Sequence, residues 1–162
     1  MIINSMKIAA GIFFYSNSTN RFLYLLRHES KNSCEWSIPG GKIDDTESLF
    51  DGLKRECMEE MQFDLNDIKL VPIQKFTNLN FTYHTFFASL DNEFLPILNS
   101  EHIGYAWVLP PNYPKPLHRG LFMTVNIDVV QEKLNVLTKK TAPKSRLNVQ
   151  TNELIKSKQT TC

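Results

Sequence analysis

Residues 41–63 read GKIDDTESLFDGLKRECMEEMQF. Ser48 followed by Asp51 has the form of a capping box, so a helix is expected to begin just after Ser48. From there Leu49, Leu53, Cys57 and Met61 recur every fourth residue and mark one buried helical face. Glu56, Glu59 and Glu60 stand at i, i+3 and i+4. At roughly 100° per residue their directions fall within an arc of about 100° beside the apolar stripe.

Three carboxylates packed so closely repel one another, by a few tenths of a kcal/mol for each like pair on a helix. The repulsion grows near a core edge, where the dielectric is lower than that of water. Arg55 reaches Glu59 at i+4, but one cation does not balance three acids. A hard dication would, since it prefers carboxylate, carbonyl and water oxygens and can also clamp phosphate and activate a water. The plain alternative for a bare Glu-x-x-Glu-Glu is a solvated acidic helix face.

On either side of this helix the pattern is mostly strand. Residues 7–15, Lys-Ile-Ala-Ala-Gly-Ile-Phe-Phe-Tyr, read as a buried strand, Ser16–Asn20 as a turn, and Arg21–His28 as a second strand of a hairpin. Trp36-Ser37-Ile38-Pro39-Gly40-Gly41 reads as a break in regular structure. Val71–Thr77, Phe81–Leu90 and Tyr105–Leu109 are further strands, the last closed by Pro110-Pro111. Ile127, Val130, Leu134 and Leu137 define one face of a C-terminal helix with Asn126 as its cap. Strands interrupted by a central and a C-terminal helix predict one mixed α/β sandwich.

The composition agrees with one soluble domain: 162 residues, 42% hydrophobic and 22% charged. The longest apolar run, Ile8–Tyr15, is too short to span a bilayer, and the N-terminus lacks the layout of a signal peptide. Cys34, Cys57 and Cys162 suggest neither a disulfide framework nor a zinc site, so a reducing cytoplasm is the expected setting. The charge is uneven. Lys139, Lys140, Lys144, Arg146, Lys156 and Lys158 face the single acid Glu153 within residues 138–162, although the whole chain carries only +1. That end reads as a solvated basic tail; without interleaved aromatics it gives little reason to expect nucleic acid as a partner.

From Gly41 the chain runs five residues to Glu47, then seven more to Arg55-Glu56-Cys57-Met58-Glu59-Glu60-Met61-Gln62-Phe63. This resembles the Nudix box, with every charged position at matching spacing. Trp36–Lys42 is similar to the loop that leads into the box, and Glu101-His102 with Tyr105-Ala106-Trp107-Val108 to a common downstream element. The resemblance implies an α/β/α sandwich around a mixed β-sheet over residues 1–137, with 138–162 outside it. It implies a hydrolase acting on a pyrophosphate bond of a small nucleotide substrate with Mg²⁺ as cofactor, Mn²⁺ as a substitute, and a homodimer as a common assembly. Glu56, Glu59 and Glu60 would be the metal ligands, with a carbonyl from Gly40. Glu47 would pair with Arg55 and orient the catalytic turn, and Glu60 or Glu101 would serve as general base. Two positions depart from the family pattern. Cys57 replaces a bulky aliphatic, which a buried thiol can imitate, and Gln62 replaces the glycine that ends the helix left-handed, at a cost on the order of 1 kcal/mol.

Arg27 and Lys42 are candidates for holding phosphate oxygens, against a reading as surface charges. His84, His102 and His118 read as structural or exposed, Trp36 and Trp107 as packing residues, and Phe81 and Tyr83 as core. The substrate expected first is a nucleoside diphosphate joined to another group, such as ADP-ribose or a dinucleoside polyphosphate. A (d)NTP pyrophosphatase and a non-catalytic nucleotide-binding protein are the alternatives.

Overall fold

The computed structural model describes residues 6–28 and 34–141. The strands are β1 (Lys7–Ser16), β2 (Arg21–Arg27), β3 (Trp36–Ser37), β4 (Gly40–Ile43), β5 (Leu70–Asn78), β6 (Phe81–Leu90) and β7 (His102–Val108). The helices are α1 (Leu49–Met61), α2 (Arg119–Val125) and α3 (Asp128–Thr141). Among the described residues, no helix is long and apolar enough to cross a membrane.

β1 organises the mixed sheet. It runs parallel to β6 from Lys7↔Phe81 to Ser16↔Leu90, and β6 pairs antiparallel with β5. Its other edge is shared. The first half pairs with β4, from Ile8↔Ile43 to Gly11↔Gly40, and the end pairs with β2 at Tyr15↔Phe22 and Ser16↔Arg21. β2 and β4 therefore diverge from β1 as a fork, and the Pro39 carbonyl enters it to accept from Ile12 N–H at 2.9 Å. β2 continues outward to β7 and β3.

The apolar run of β1 is continuous because both of its faces are covered. Ala10, Ile12 and Phe14 pack with Leu53, Cys57, Met61 and Leu65 on the α1 side. Phe13 and Tyr15 pack with Phe87, Leu121, Val125, Val130 and Leu134 on the α2–α3 side. The result is the expected α/β/α sandwich.

Two local expectations are corrected, and the expected hairpin is found. The stretch from Trp36 to Gly41 is not structureless: β3 and the start of β4 lie within it, stabilised by pairing with residues far away in sequence. The hairpin of β1 and β2 is real but brief, since β1 spends most of its length on β4 and β6. Asn126 caps the C-terminus of α2 rather than the start of α3, and its side-chain amide donates to the Phe122 carbonyl at 2.7 Å. α3 reaches Thr141, so the division expected after residue 137 falls within it. The basic tail from residue 142 onward lies outside the described residues.

Candidate active site

Helix α1 delivers the acidic residues to the fork. Ser48 caps it, its Oγ accepting from Asp51 N–H at 3.1 Å and donating to Asp51 Oδ2 at 2.6 Å. The stripe Leu53, Cys57 and Met61 is fully buried, and burial pushes the Cys57 thiol up, so it packs as a small apolar group. This rotation sets Glu60 at the sheet and Glu59 toward solvent, with Glu56 half-way.

Glu60 is 5% exposed. Its Oε2 accepts from Gly40 N–H at 2.8 Å, and its Oε1 lies 3.6 Å from His102 Nε2. Burial holds its pKa well above the usual carboxylate range; Glu56 and Glu101 add to the rise, while the Gly40 bond and the Arg27 charge oppose it. Glu56 is also raised, first by burial, with Arg55 pulling the other way.

The loop must be glycine to come this close. Gly40 has φ +139°, and a Cβ there would strike the Ala10 carbonyl. A Cβ on Gly41 would run into the Glu56 carboxylate.

Arg55 ties loop to helix. Its guanidinium donates to Glu47 through Nη2 at 2.7 Å and Nε at 3.2 Å, a bidentate pair. Nη2 also donates to the Lys42 carbonyl at 2.9 Å, and Nη1 to Glu56 at 3.1 Å and Glu59 at 3.2 Å. The Glu47 carboxylate is held below its usual range by Arg55 and by the Asp44 N–H. Among the described residues no three acidic, imidazole or thiol side chains are gathered closely enough to hold a metal ion, and Glu56 and Glu59 both accept from Arg55. Gly40, expected to offer its carbonyl, here uses its N–H.

The remaining expected residues lie around this centre. Arg27 ends β2, and its charge reaches both Glu60 and the Tyr83 phenol. Glu101 is exposed, yet its charge is felt by Glu56 and Glu60; its carbonyl accepts from His28 N–H at 2.7 Å, tying its loop to the end of β2. Lys42 lies on β4 with an exposed side chain.

His102 and Tyr83 were underestimated by the sequence. His102 is buried against Glu60. The Tyr83 hydroxyl sits where a Cβ on Gly11 would be, and burial raises its pKa. The adjacency of Glu101 and His102 was the available signal for the first. For the second, alternation on a strand gave no hint of what its far end would meet.

A family model for the NUDIX domain matches residues 6–122, and the chain belongs to that family. It is thus of the class of pyrophosphohydrolases that act on phosphoric anhydride bonds. Among solved structures, a Nudix hydrolase from M. smegmatis, RenU, is similar at 20% identity and TM-score 0.63, over 82% of this chain and 85% of that one. A MutT NUDIX hydrolase from Burkholderia pseudomallei is similar at 18% identity and TM-score 0.61, over 78% and 97%. A C. elegans Ap4A hydrolase is similar at 16% identity and TM-score 0.59, over 83% and 99%. At these identities the likeness is one of fold. No curated protein sequence matches the chain.

Proposed function

We propose that this chain is a Mg²⁺-dependent pyrophosphohydrolase of nucleoside diphosphates joined to a second group, of the ADP-ribose or dinucleoside polyphosphate kind. The observation that carries the reading is Glu60, buried yet poised between Gly40 and His102, with Glu56 beside it. Two raised carboxylates at one place are costly as anions, and the donor set is all hard oxygen, which fits Mg²⁺, with Mn²⁺ as a substitute. Glu56, Glu59, Glu60 and the Gly40 carbonyl would hold the ion. Bound there, it would neutralise diphosphate oxygens and make a water more acidic.

The chain's own groups do the rest. Arg55 and Glu47 fix the loop against the helix, so the ligands keep their spacing. Arg27 and Lys42 hold phosphate oxygens. Both Glu60 oxygens face neighbouring groups, so Glu101, exposed and close enough to be felt by Glu60, accepts the proton of the attacking water. The new bond joins water oxygen to phosphorus, the bond to the bridging oxygen breaks, and the second phosphate leaves as the anion.

A nucleoside is favoured by the neighbouring sheet face. Tyr83 and Phe81 rings lie 6.3 Å apart and tilted 31°, and Phe76, paired with Tyr83 across β5 and β6, is 44% exposed. Such ring faces suit stacking on a base. The C. elegans protein similar in fold is an Ap4A hydrolase, and Ap4A belongs to the same chemical class. We assign this chemistry to the domain that closes with α3, working in the cytoplasm.

The test is a panel of ADP-ribose, dinucleoside polyphosphates and NTPs with Mg²⁺ or Mn²⁺, with both products identified. A nucleoside monophosphate released from a dinucleotide supports the reading; pyrophosphate released from an NTP with no dinucleotide turnover replaces it. Glu101→Gln is expected to lower kcat by about 10²- to 10⁴-fold with the fold intact. Unchanged turnover would remove Glu101 from its role.

A further inference from the structure

Glu60 meets a different element at each of its oxygens: β4 through Gly40 N–H and β7 through His102 Nε2. Behind His102 stands Asn99. Its Oδ1 accepts from Glu101 N–H at 3.1 Å, which settles that oxygen, not nitrogen, faces this way. The same oxygen lies 3.3 Å from His102 Nδ1, so Nδ1 carries the hydrogen and Nε2 is the edge turned to Glu60. Asn99 also holds the other end of the same residue, since its N–H donates to the Glu60 backbone carbonyl at 3.2 Å.

We propose that His102 and Asn99 are a positioning pair for Glu60. They fix the plane of its carboxylate and register the end of α1 against β7, so that the ligand is oriented before anything binds. Outer partners of this kind typically alter metal affinity or activity by roughly 10- to 100-fold when removed. The proposal rests on the reading of Glu60 as a metal ligand.

The experiment uses the full chain and measures Mn²⁺ binding without nucleotide, then kcat and KM separately. His102→Ala is expected to weaken Mn²⁺ binding and lower kcat, each by about 10-fold or more, with KM for the nucleotide little changed. Asn99→Ala, which keeps the backbone bond to Glu60, should do the same in smaller measure. His102→Gln, whose amide can turn either its N–H or its carbonyl to the Glu60 carboxyl, should restore most of both. Wild-type Mn²⁺ affinity in His102→Ala overturns the proposal. So does a His102→Gln variant as weak as His102→Ala with equal loss of thermal stability, since that marks a packing role. If His102→Ala does not fold, Asn99→Ala and His102→Gln decide: wild-type binding in Asn99→Ala overturns, while weakened binding there with recovery in His102→Gln supports. Glu60→Gln is the reference. If it binds Mn²⁺ like the wild type, the reading of Glu60 fails; if it loses Mn²⁺ and the His102 variants do not, only the positioning pair fails.

Discussion

At the scale of single residues, the site depends as much on missing side chains as on the acids. Gly41 leaves the volume that the Glu56 carboxylate fills. Its φ lies outside the left-handed region, so alanine is tolerated by the backbone and the collision alone is tested. Gly41→Ala should therefore displace Glu56 while the circular dichroism spectrum stays unchanged. A shift of about 1 Å in a reacting constellation can cost on the order of 10²-fold, so a kcat loss of that order, with weaker Mn²⁺ binding, is expected. Wild-type kcat would show that Glu56 has room to move without consequence.

At the scale of elements, α1 was the most legible part of the chain. Its cap, buried stripe and acid spacing are local patterns, and the structure reproduces Ser48, Leu53, Cys57 and Met61 in those places. Its ending was the part that Gln62, in place of glycine, left open, and the structure keeps the left-handed ending. Gln62 takes φ 52° and ψ 36°, and its N–H donates to the carbonyls of Cys57 and Met58. Replacing Gln62 with Gly should relieve a left-handed cost of about 1–2 kcal/mol, offset in part by about 0.4–1 kcal/mol of extra freedom in the unfolded chain. A melting temperature raised by on the order of 2 °C, with kcat unchanged, is the expected result. β3 and β4, of two and four residues, escaped because such short runs carry no period of their own; they form by pairing with β2 and β1. α2 escaped for a similar reason: seven residues, with only Leu121 and Val125 buried, give too little stripe to read. The acids of the site were legible because one helix carries them. His102 and Asn99 were not, because their meaning depends on a tertiary approach to Glu60.

At the scale of the whole molecule, the acidic cluster makes stability depend on pH and on divalent ions together. Glu56 and Glu60 are raised in the folded state, chiefly by burial. From the ordinary carboxylate range up to those raised values, the folded protein binds more protons than the unfolded chain, so stability falls as pH rises through that window. Glu47 and Asp64, held below their usual range, act oppositely and lose their contribution only in more acidic solution. In EDTA the melting temperature should thus decline as pH rises above the ordinary carboxylate range, less steeply in Glu60→Gln, and Mg²⁺ should abolish most of the decline. A flat profile in EDTA for the wild type would contradict this. The fork on β1 has a further consequence, for biosynthesis. β1 is translated before the other described elements, yet its parallel neighbour β6 lies some seventy residues later, and the wall behind Glu60 comes later still with β7. Each such pairing must close a long loop before it gains anything. On the ribosome α1 can form early from its own pattern, but its carboxylates stay hydrated until residue 102 has emerged. A nascent chain stalled before that point would contain the whole Nudix box and still lack a buried Glu60.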